Sequence, residues 1–275
     1  EALDCARGIS NEDFQARALV ALAPHLPDVL PEALDCARGI SNEDSRARAL
    51  EALAPHLPDV LLHQALDCAR GISDEYFRAY SLRALAPHLP DVLPEALDYA
   101  IEISKEYSRA YALRALAPHL PDVLLPQALD CARGIFYEDS RADALVALAP
   151  HLPDVLPEAL DCARGISNEN FQARALEALA PHLPDVLLPK ALDCARGIGS
   201  EYRRAKVLQN LIKTLTPSSV DFPLWQQILD CLASLKRADF LKNLPQLAPL
   251  IIKFGGIEAL RETVAAIEDV SRWWR

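Results

Sequence analysis

A block reading A-L-D-C-A-R-G-I recurs along the chain, with its leucine at Leu3, Leu34, Leu66, Leu97, Leu129, Leu160 and Leu192. The steps between copies alternate between 31 and 32 residues. Self-similarity on this period is the mark of stacked supersecondary units, each burying its apolar face against its neighbours. A chain of 275 residues built this way does not need one shared core, which at that length would be near its upper size. The added residue always falls in the link. Odd links read D-V-L-P-E-A-L, as at Asp28 to Leu34, and even links read D-V-L-L-x-x-A-L, as at Asp59 to Leu66. The alternation predicts two link geometries and a true period of two units.

Each unit reads as two helices. In the second copy Ala33, Leu34, Cys36, Ala37 and Ile40 recur at helical spacing and form the apolar face of a helix A. Asp28 is the expected N-cap, with Pro31 in the first turn, where a missing N–H costs nothing. Asp35 and Arg38 point away, and Gly39 is the expected C′ residue; Glu102 stands there in the fourth copy, so a left-handed residue is not obligatory. Ser41 is then expected to cap helix B, with Asp44 completing a variant capping box. Ala47, Leu50, Leu53, Ala54 and Leu57 face inward, and Pro55 tightens the last turn. The expected fold is all-α: an α-solenoid, or superhelix, of about seven two-helix repeats with a C-terminal helical cap.

The A-P-H-L-P signature is lost after Tyr202, and helix continues to about Leu215. Residues 1–215 form the repeat region and residues 216–275 the capping unit. Thr216-Pro217-Ser218-Ser219 reads as a linker. Helices are expected over about 222–235, 238–254 and 257–274, with Gly255-Gly256 as a turn. Trp225, Trp273 and Trp274 read as capping bulk, since a bare repeat end exposes apolar surface. The chain contains no Met and opens inside its own repeat, so a fragment of a larger protein is expected.

Composition excludes several classes. The net charge of −11 argues against general nucleic-acid binding, which needs clustered Lys and Arg. No apolar run of membrane-spanning length is present. Six cysteines (Cys5, Cys36, Cys68, Cys131, Cys162, Cys194) share one position in successive copies, about 10 Å apart for stacked helices. That is too far for a disulfide or a shared zinc ion, and small buried thiols in a reducing compartment are expected. His25, His56, His88, His119, His151 and His182 each close an A-P-H-L-P run as a polar helix end. No phosphate loop, dinucleotide fingerprint, nucleophile elbow or metal motif occurs. No enzyme activity, cofactor or metal is expected.

Comparison of the copies singles out one narrow arc of helix B, carried in the first copy by Asp13, Arg17 and Val20. Along the chain it continues as Asp44-Arg48-Glu51, Tyr76-Tyr80-Arg83, Tyr107-Tyr111-Arg114, Asp139-Asp143-Val146, Asn170-Arg174-Glu177 and Tyr202-Lys206-Gln209. These positions are expected to face outward. Most copies carry charges there, whereas the third and fourth present Tyr76, Tyr80, Arg83, Tyr107, Tyr111 and Arg114. Tyr and Arg are the residues that anchor interfaces, and these six are the candidate partner-binding residues. The competing reading packs these rings against neighbouring repeats.

The repeat A-L-x-x-A-R-x-I…R-A-x-A-L-x-A-L-A-P-H-L-P resembles the degenerate TPR-like repeats at the C-terminal end of bacterial STAND-type ATPases with NB-ARC or NACHT modules. The stretches Leu244-Pro245-Gln246-Leu247-Ala248-Pro249-Leu250 and Ile267-Glu268-Asp269-Val270-Ser271-Arg272-Trp273-Trp274-Arg275 resemble that family's ending. The resemblance implies a cytoplasmic, ligand-sensing or protein-binding arm that contacts N-terminal domains of the same protein. The units are shorter than the usual TPR, so its standard peptide groove does not carry over. The partner is a protein or peptide, not nucleic acid or membrane. A structural or oligomerising scaffold, or an engineered consensus-like repeat protein, are the alternatives.

Overall fold

Helix A of each repeat is short because its two ends are set by proline and by a small-residue loop. In the computed structural model, which describes residues 1–88 and 92–273 without the side chains of 12, 13 and 270–273, the A helices are α1 (Ala2–Arg7), α3 (Leu30–Gly39), α5 (Asp59–Arg70), α7 (Leu93–Ile101), α9 (Leu125–Arg133), α11 (Leu156–Gly165) and α13 (Leu188–Arg196). The B helices are α2 (Glu12–Leu22), α4 (Glu43–Leu53), α6 (Glu75–Leu85), α8 (Glu106–Leu116), α10 (Glu138–Leu148), α12 (Glu169–Leu179) and α14 (Glu201–Lys213). α15 (Phe222–Ala233) and α16 (Arg237–Trp273) close the chain. The protein is an all-α helical-repeat chain, with no strand among the described residues.

Two compact units are formed, Glu1–Leu152 and Pro153–Arg275. In the first, α2, α4, α6, α8 and α10 pack side by side in chain order as one layer, each backed by an A helix. In the second, α12 packs on α14, and α15 and α16 pack on α13 and α14. The helix stripes that meet are alanine and leucine: Ala47, Leu50 and Leu53 of α4, and Ala79, Leu82 and Leu85 of α6, are all fully buried. Small alanines let the axes approach to the short end of the usual ~8–10 Å. Each buried leucine supplies about 1.5–3 kcal/mol.

Apolar packing alone leaves a stack free to slip; one polar device sets its register and a second ties the two helices of each repeat. The first residue of helix B is always glutamate, and in four copies its carboxylate reaches forward to the next repeat's A–B loop. Glu43 accepts from the backbone N–H of Ser73 and of Asp74, both at 2.8 Å. Glu75 does the same with Ser104 (3.0 Å) and Lys105 (2.6 Å), and Glu106 with Phe136 (3.0 Å) and Tyr137 (2.8 Å). In the second unit Glu169 accepts from Gly199 (3.0 Å) and Ser200 (2.9 Å). A carboxylate held by two N–H groups at a helix start is a strong charge-assisted pair. The second device works within a repeat. Arg46, Arg78, Arg109, Arg141 and Arg204 donate to the carbonyls of Ile40, Ile72, Ile103, Ile135 and Ile198, at 2.7–3.1 Å. Where a copy has glutamine instead, Gln15 and Gln172 donate to Arg7 O (2.8 Å) and Arg164 O (3.1 Å).

The two link geometries exist, and the added residue rotates one side chain. In odd links Val29, Val92 and Val155 are buried. In even links the equivalent Val60, Val123 and Val186 are 80–81% exposed. Constancy among copies therefore does not always mean burial.

Several local expectations are corrected. Asp28 does not cap helix A. It lies in a 3-10 turn over Pro27–Val29, and Val29 is the N-cap with no side-chain bond. Pro31 has no N–H to satisfy, and the turn already uses that of Val29, bonded to Leu26 O at 2.9 Å. Helix B is capped by Asn42, which accepts from Ser45 N at 2.8 Å, and not by Ser41. In the next copy the cap is Asp74, the counterpart of Asn42, and the N–H groups of both Ser73 and Asp74 go to Glu43. As Glu102 implies, no left-handed residue is required at the end of helix A: Gly39 ends its helix without a left-handed turn, and Gly8, Gly71, Gly134 and Gly197 have φ between −79° and −67°. A right-handed closure accepts any residue, which is why Glu102 serves in the fourth copy. Pro55 tightens the end of helix B into a 3-10 turn over Ala54–His56, as expected.

At the C-terminal end Thr216 to Ser219 is an ordered turn: Ser219 N bonds Thr216 O at 3.1 Å, and Lys253 Nζ donates to the carbonyl of Val220 at 2.6 Å. α16 breaks at Gly256, whose φ of 74° and ψ of −178° suit glycine alone. A Cβ on Gly255 would stand 2.5 Å from that of Ala259. Trp225 is buried and stacks on Phe254 at 5.7 Å, as capping bulk should. Trp274 and the side chain of Trp273 lie outside the described residues.

Gly256→Ala is expected to cost about 1–3 kcal/mol in urea unfolding. Arg46→Ala, which strips the donors from Ile40 O, should cost about 1–3 kcal/mol, and Arg46→Gln should recover part of the loss. The carboxyls of Glu43 and Glu106 are held below 4.5 by the N–H groups they accept, from Asp74 and Ser73 and from Tyr137 and Phe136. Burial opposes the same effect at Glu75, but its hydrogen bonds outweigh it. Their folded pKa values are depressed, so their stabilisation is complete above 4.5 and lost as pH falls below it. A Glu43→Gln/Glu75→Gln variant should show a flatter fall of melting temperature over that window than the parent.

Candidate binding face

The arc expected on helix B lies on the outer side of the first unit's helix layer. α6 starts where Asp74 accepts from Tyr76 N (2.8 Å) and Phe77 N (3.4 Å). α8 starts at Lys105 with no side-chain cap, its N–H being held by Glu75. Because both helices begin at the same point of the repeat and pack side by side, Tyr76, Tyr80 and Arg83 stand beside Tyr107, Tyr111 and Arg114.

The structure joins five of these six residues by ring and cation contacts. The Tyr76 and Tyr111 rings lie 6.3 Å apart, tilted by 32°. The Arg83 guanidinium sits 4.9 Å from the Tyr80 ring centre and 5.9 Å from that of Tyr111. Arg114 sits 5.0 Å from the Tyr111 ring. Both distances to Tyr111 fall within the range of a cation–π contact. Tyr80 and Tyr111 are half-buried, whereas Tyr76 is 42% and Tyr107 62% exposed. Two carboxylates complete the set. Tyr80 donates its hydroxyl to Glu51, whose other oxygen lies 3.4 Å from Arg83. Arg114 donates to both oxygens of Asp143 at 2.9 Å.

Glu51 and Asp143 were read as solvated charges, and their role was missed. The signal is the repeat length. The third arc position of one copy meets the second of the next, 28 or 29 residues on: Glu51 with Tyr80, Arg83 with Tyr111, Arg114 with Asp143 and, in the second unit, Glu177 with Lys206 at 2.9 Å. The varying residues are thus paired across these four joints. Val20 and Val146, expected to face outward, are buried. An apolar side chain at the joint-facing third position turns inward instead of reaching across. Asp13 lies outside the described side chains.

The divergence of the fourth copy is absorbed by the third. Tyr99 replaces the repeat's cysteine, is buried, and donates its hydroxyl to Glu95. Arg70 covers its ring at 4.5 Å and lies 3.4 Å from Glu102. Phe136 and Tyr137 are exposed, edge to face at 5.9 Å, on the loop that Glu106 holds next to Tyr107. An aromatic rim thus follows the starts of α6, α8 and α10.

The cysteines are less uniformly buried than expected. Cys68, Cys194 and Cys231 are buried, Cys5 is exposed, and Cys36, Cys131 and Cys162 are intermediate. Burial pushes the Cys68 thiol up to about 11. His25, His56, His88, His119 and His182 close helix B in 3-10 turns, and burial, with some help from His88, lowers the pKa of His119. Among the described residues no group of three His, Cys, Asp or Glu side chains is placed to hold a metal ion. No described helix is long and apolar enough to cross a membrane.

No protein-family model matches the sequence, and no curated protein matches it. Among solved structures, one similar chain is described as "Computational Design of Self-Assembling Cyclic Protein Homooligomers". It is 18% identical, with 95% of this chain and 90% of that chain covered, at a TM-score of 0.16. A superposition that poor bears on neither fold nor assembly.

Tyr80 holds its proton above its ordinary value of 10 because its hydroxyl donates to Glu51, and Tyr111 does so because of burial, against the pull of Arg83 and Arg114. Tyr99 joins them through Glu95. An absorbance titration should therefore show three of the seven tyrosines ionising late. Glu51→Gln should bring Tyr80 back toward 10 and leave Tyr99 unchanged.

Proposed function

We propose that the chain is a non-catalytic binding arm, and that Tyr76, Tyr80, Arg83, Tyr107, Tyr111 and Arg114 form its contact face for a protein or peptide. The observation that carries this reading is the exposure of Tyr76 and Tyr107 on a frame that holds Tyr80, Tyr111 and both arginines in place. Pre-ordered aromatic side chains lose little entropy on binding, which is what makes tyrosine an effective anchor. On the resemblance of its repeat and its ending to STAND-type ATPases, the arm is the cytoplasmic ligand-sensing part of such a protein, and its contacts include N-terminal domains of the same molecule.

A second reading, a self-associating scaffold, is favoured by a different surface. Beyond the Gly256 break, Ile257 and Val264 are exposed and Leu260 and Ile267 half-exposed along one side of α16, at coiled-coil spacing. Size-exclusion with light scattering separates the two. A sensing arm stays monomeric, and a scaffold dimerises or assembles further and loses that state on Val264→Glu.

Panning a random-peptide display library on the parent and on a Tyr80→Ala/Tyr111→Ala variant tests the main reading. Sequences enriched on the parent alone, with the helical circular dichroism of both proteins equal, are the expected result. Equal enrichment on both removes this face from consideration.

A further inference from the structure

The second unit holds a cavity that its own side chains leave unfilled. α15 and α16 enclose about 370 Å³ between them. Phe222, Trp225 and Leu229 line it from α15. Phe240, Leu244, Leu247, Ile251 and Phe254 line it from α16, at helical spacing along one face. The break at Gly256 supplies a third wall, because the last part of α16 brings Ala259 and Thr263 to the same space. Gly255 and Ala259 carry too little side chain to fill it.

The lining fixes the chemistry of an occupant. No charged side chain is among the lining residues. The Thr263 hydroxyl donates to Ala259 O at 2.7 Å, so its proton is already used. A carboxylate or ammonium would lose its water there with no countercharge, and an extended peptide would leave backbone N–H and C=O groups unpaired. A helix satisfies its own backbone, but the site is too small for one. From Phe240 to Phe254 the lining runs about 20 Å at 1.5 Å per residue, so 370 Å³ leaves a slot about 20 Å² in section, far narrower than a helix about 10 Å across. The lining also exposes far less surface than the ~800 Å² that each partner commits to a stable protein interface. A single hydrocarbon chain fits both the section and the chemistry. An apolar cavity of about 150 Å³ accepts benzene, so one of 370 Å³ takes about fifteen carbons.

We propose that this slot is a binding site for an uncharged, straight-chain aliphatic molecule of about ten to fifteen carbons, lying along α16 with Trp225 and Phe254 against its side. The proposal is independent of the tyrosine face, which belongs to the first unit.

Trp225 is the natural reporter. Trp273→Phe/Trp274→Phe removes the other two tryptophans of the chain, and the emission of Trp225 is followed as hexan-1-ol, octan-1-ol, decan-1-ol or dodecan-1-ol is added. Each alcohol should give a saturable change, with a dissociation constant that falls about fourfold per added methylene. Decanoate at pH 8 should bind at least roughly tenfold more weakly than decan-1-ol. Thr263→Phe and Ala259→Phe fill the slot at two positions. Each should weaken decan-1-ol at least roughly tenfold with unchanged helical circular dichroism. On the unaltered chain decan-1-ol should raise the melting temperature, and on the filled variants it should not. Responses that do not saturate, that ignore chain length or that persist in both filled variants overturn the proposal, as does decanoate binding as tightly as decan-1-ol. Emission of Trp225 that shifts with protein concentration before any alcohol is added puts a second copy in the slot and overturns it too.

Discussion

Burial of a helix stripe against the next copy is the interaction on which the rest of this structure depends. A pair of helices about ten residues each has too little interior of its own, so Leu50 and Leu53 become core only when α6 lies against α4. Alanine at the intervening positions sets the separation, and everything carried on the outer surface inherits that separation as a repeat distance. The glutamate clasp converts a slippery apolar contact into a defined joint. It places the N–H groups of one loop on the carboxylate that opens the preceding helix B. Hydrogen bonds to an anion are directional in a way that leucine on alanine is not.

The same joint explains the behaviour of the outer arc. Where a fixed offset brings two positions together, substitution at one is tolerated when the other changes with it. Glu51 with Tyr80, Arg83 with Tyr111 and Arg114 with Asp143 form a continuous chain of contacts over α4, α6, α8 and α10. The tyrosines are thus structural and available at once. Tyr80 and Tyr111 tie helices together, and Tyr76 and Tyr107 stay exposed on the same helices.

Much of the fold was legible because a repeat lets one chain act as its own comparison. Constant apolar residues at helical spacing gave α3 and α4 their inward faces, and the breaks at proline and at Gly255-Gly256 gave the ends. The caps were misread by a residue because three candidates compete within Ser41-Asn42-Glu43, and the winner depends on whether the glutamate is needed elsewhere. Its target is the next repeat's backbone, which local pattern does not contain. Glu51 and Asp143 were overlooked for the same reason: a charge looks solvated until its neighbour 29 residues away is placed beside it.

Sequence by itself determined the helical class, the two-helix unit, the alternation of links and which copies carry tyrosine and arginine on the outer arc. These follow from periodicity and composition, which act over a few turns of one chain. Tertiary structure alone decided which outer residues stay in solvent and which close a joint, that Val60 turns out where Val29 turns in, and that both arginines of the face are already neutralised. Those outcomes depend on the distance and rotation between adjacent helices. Packing of one copy on the next sets both, and no single copy encodes either.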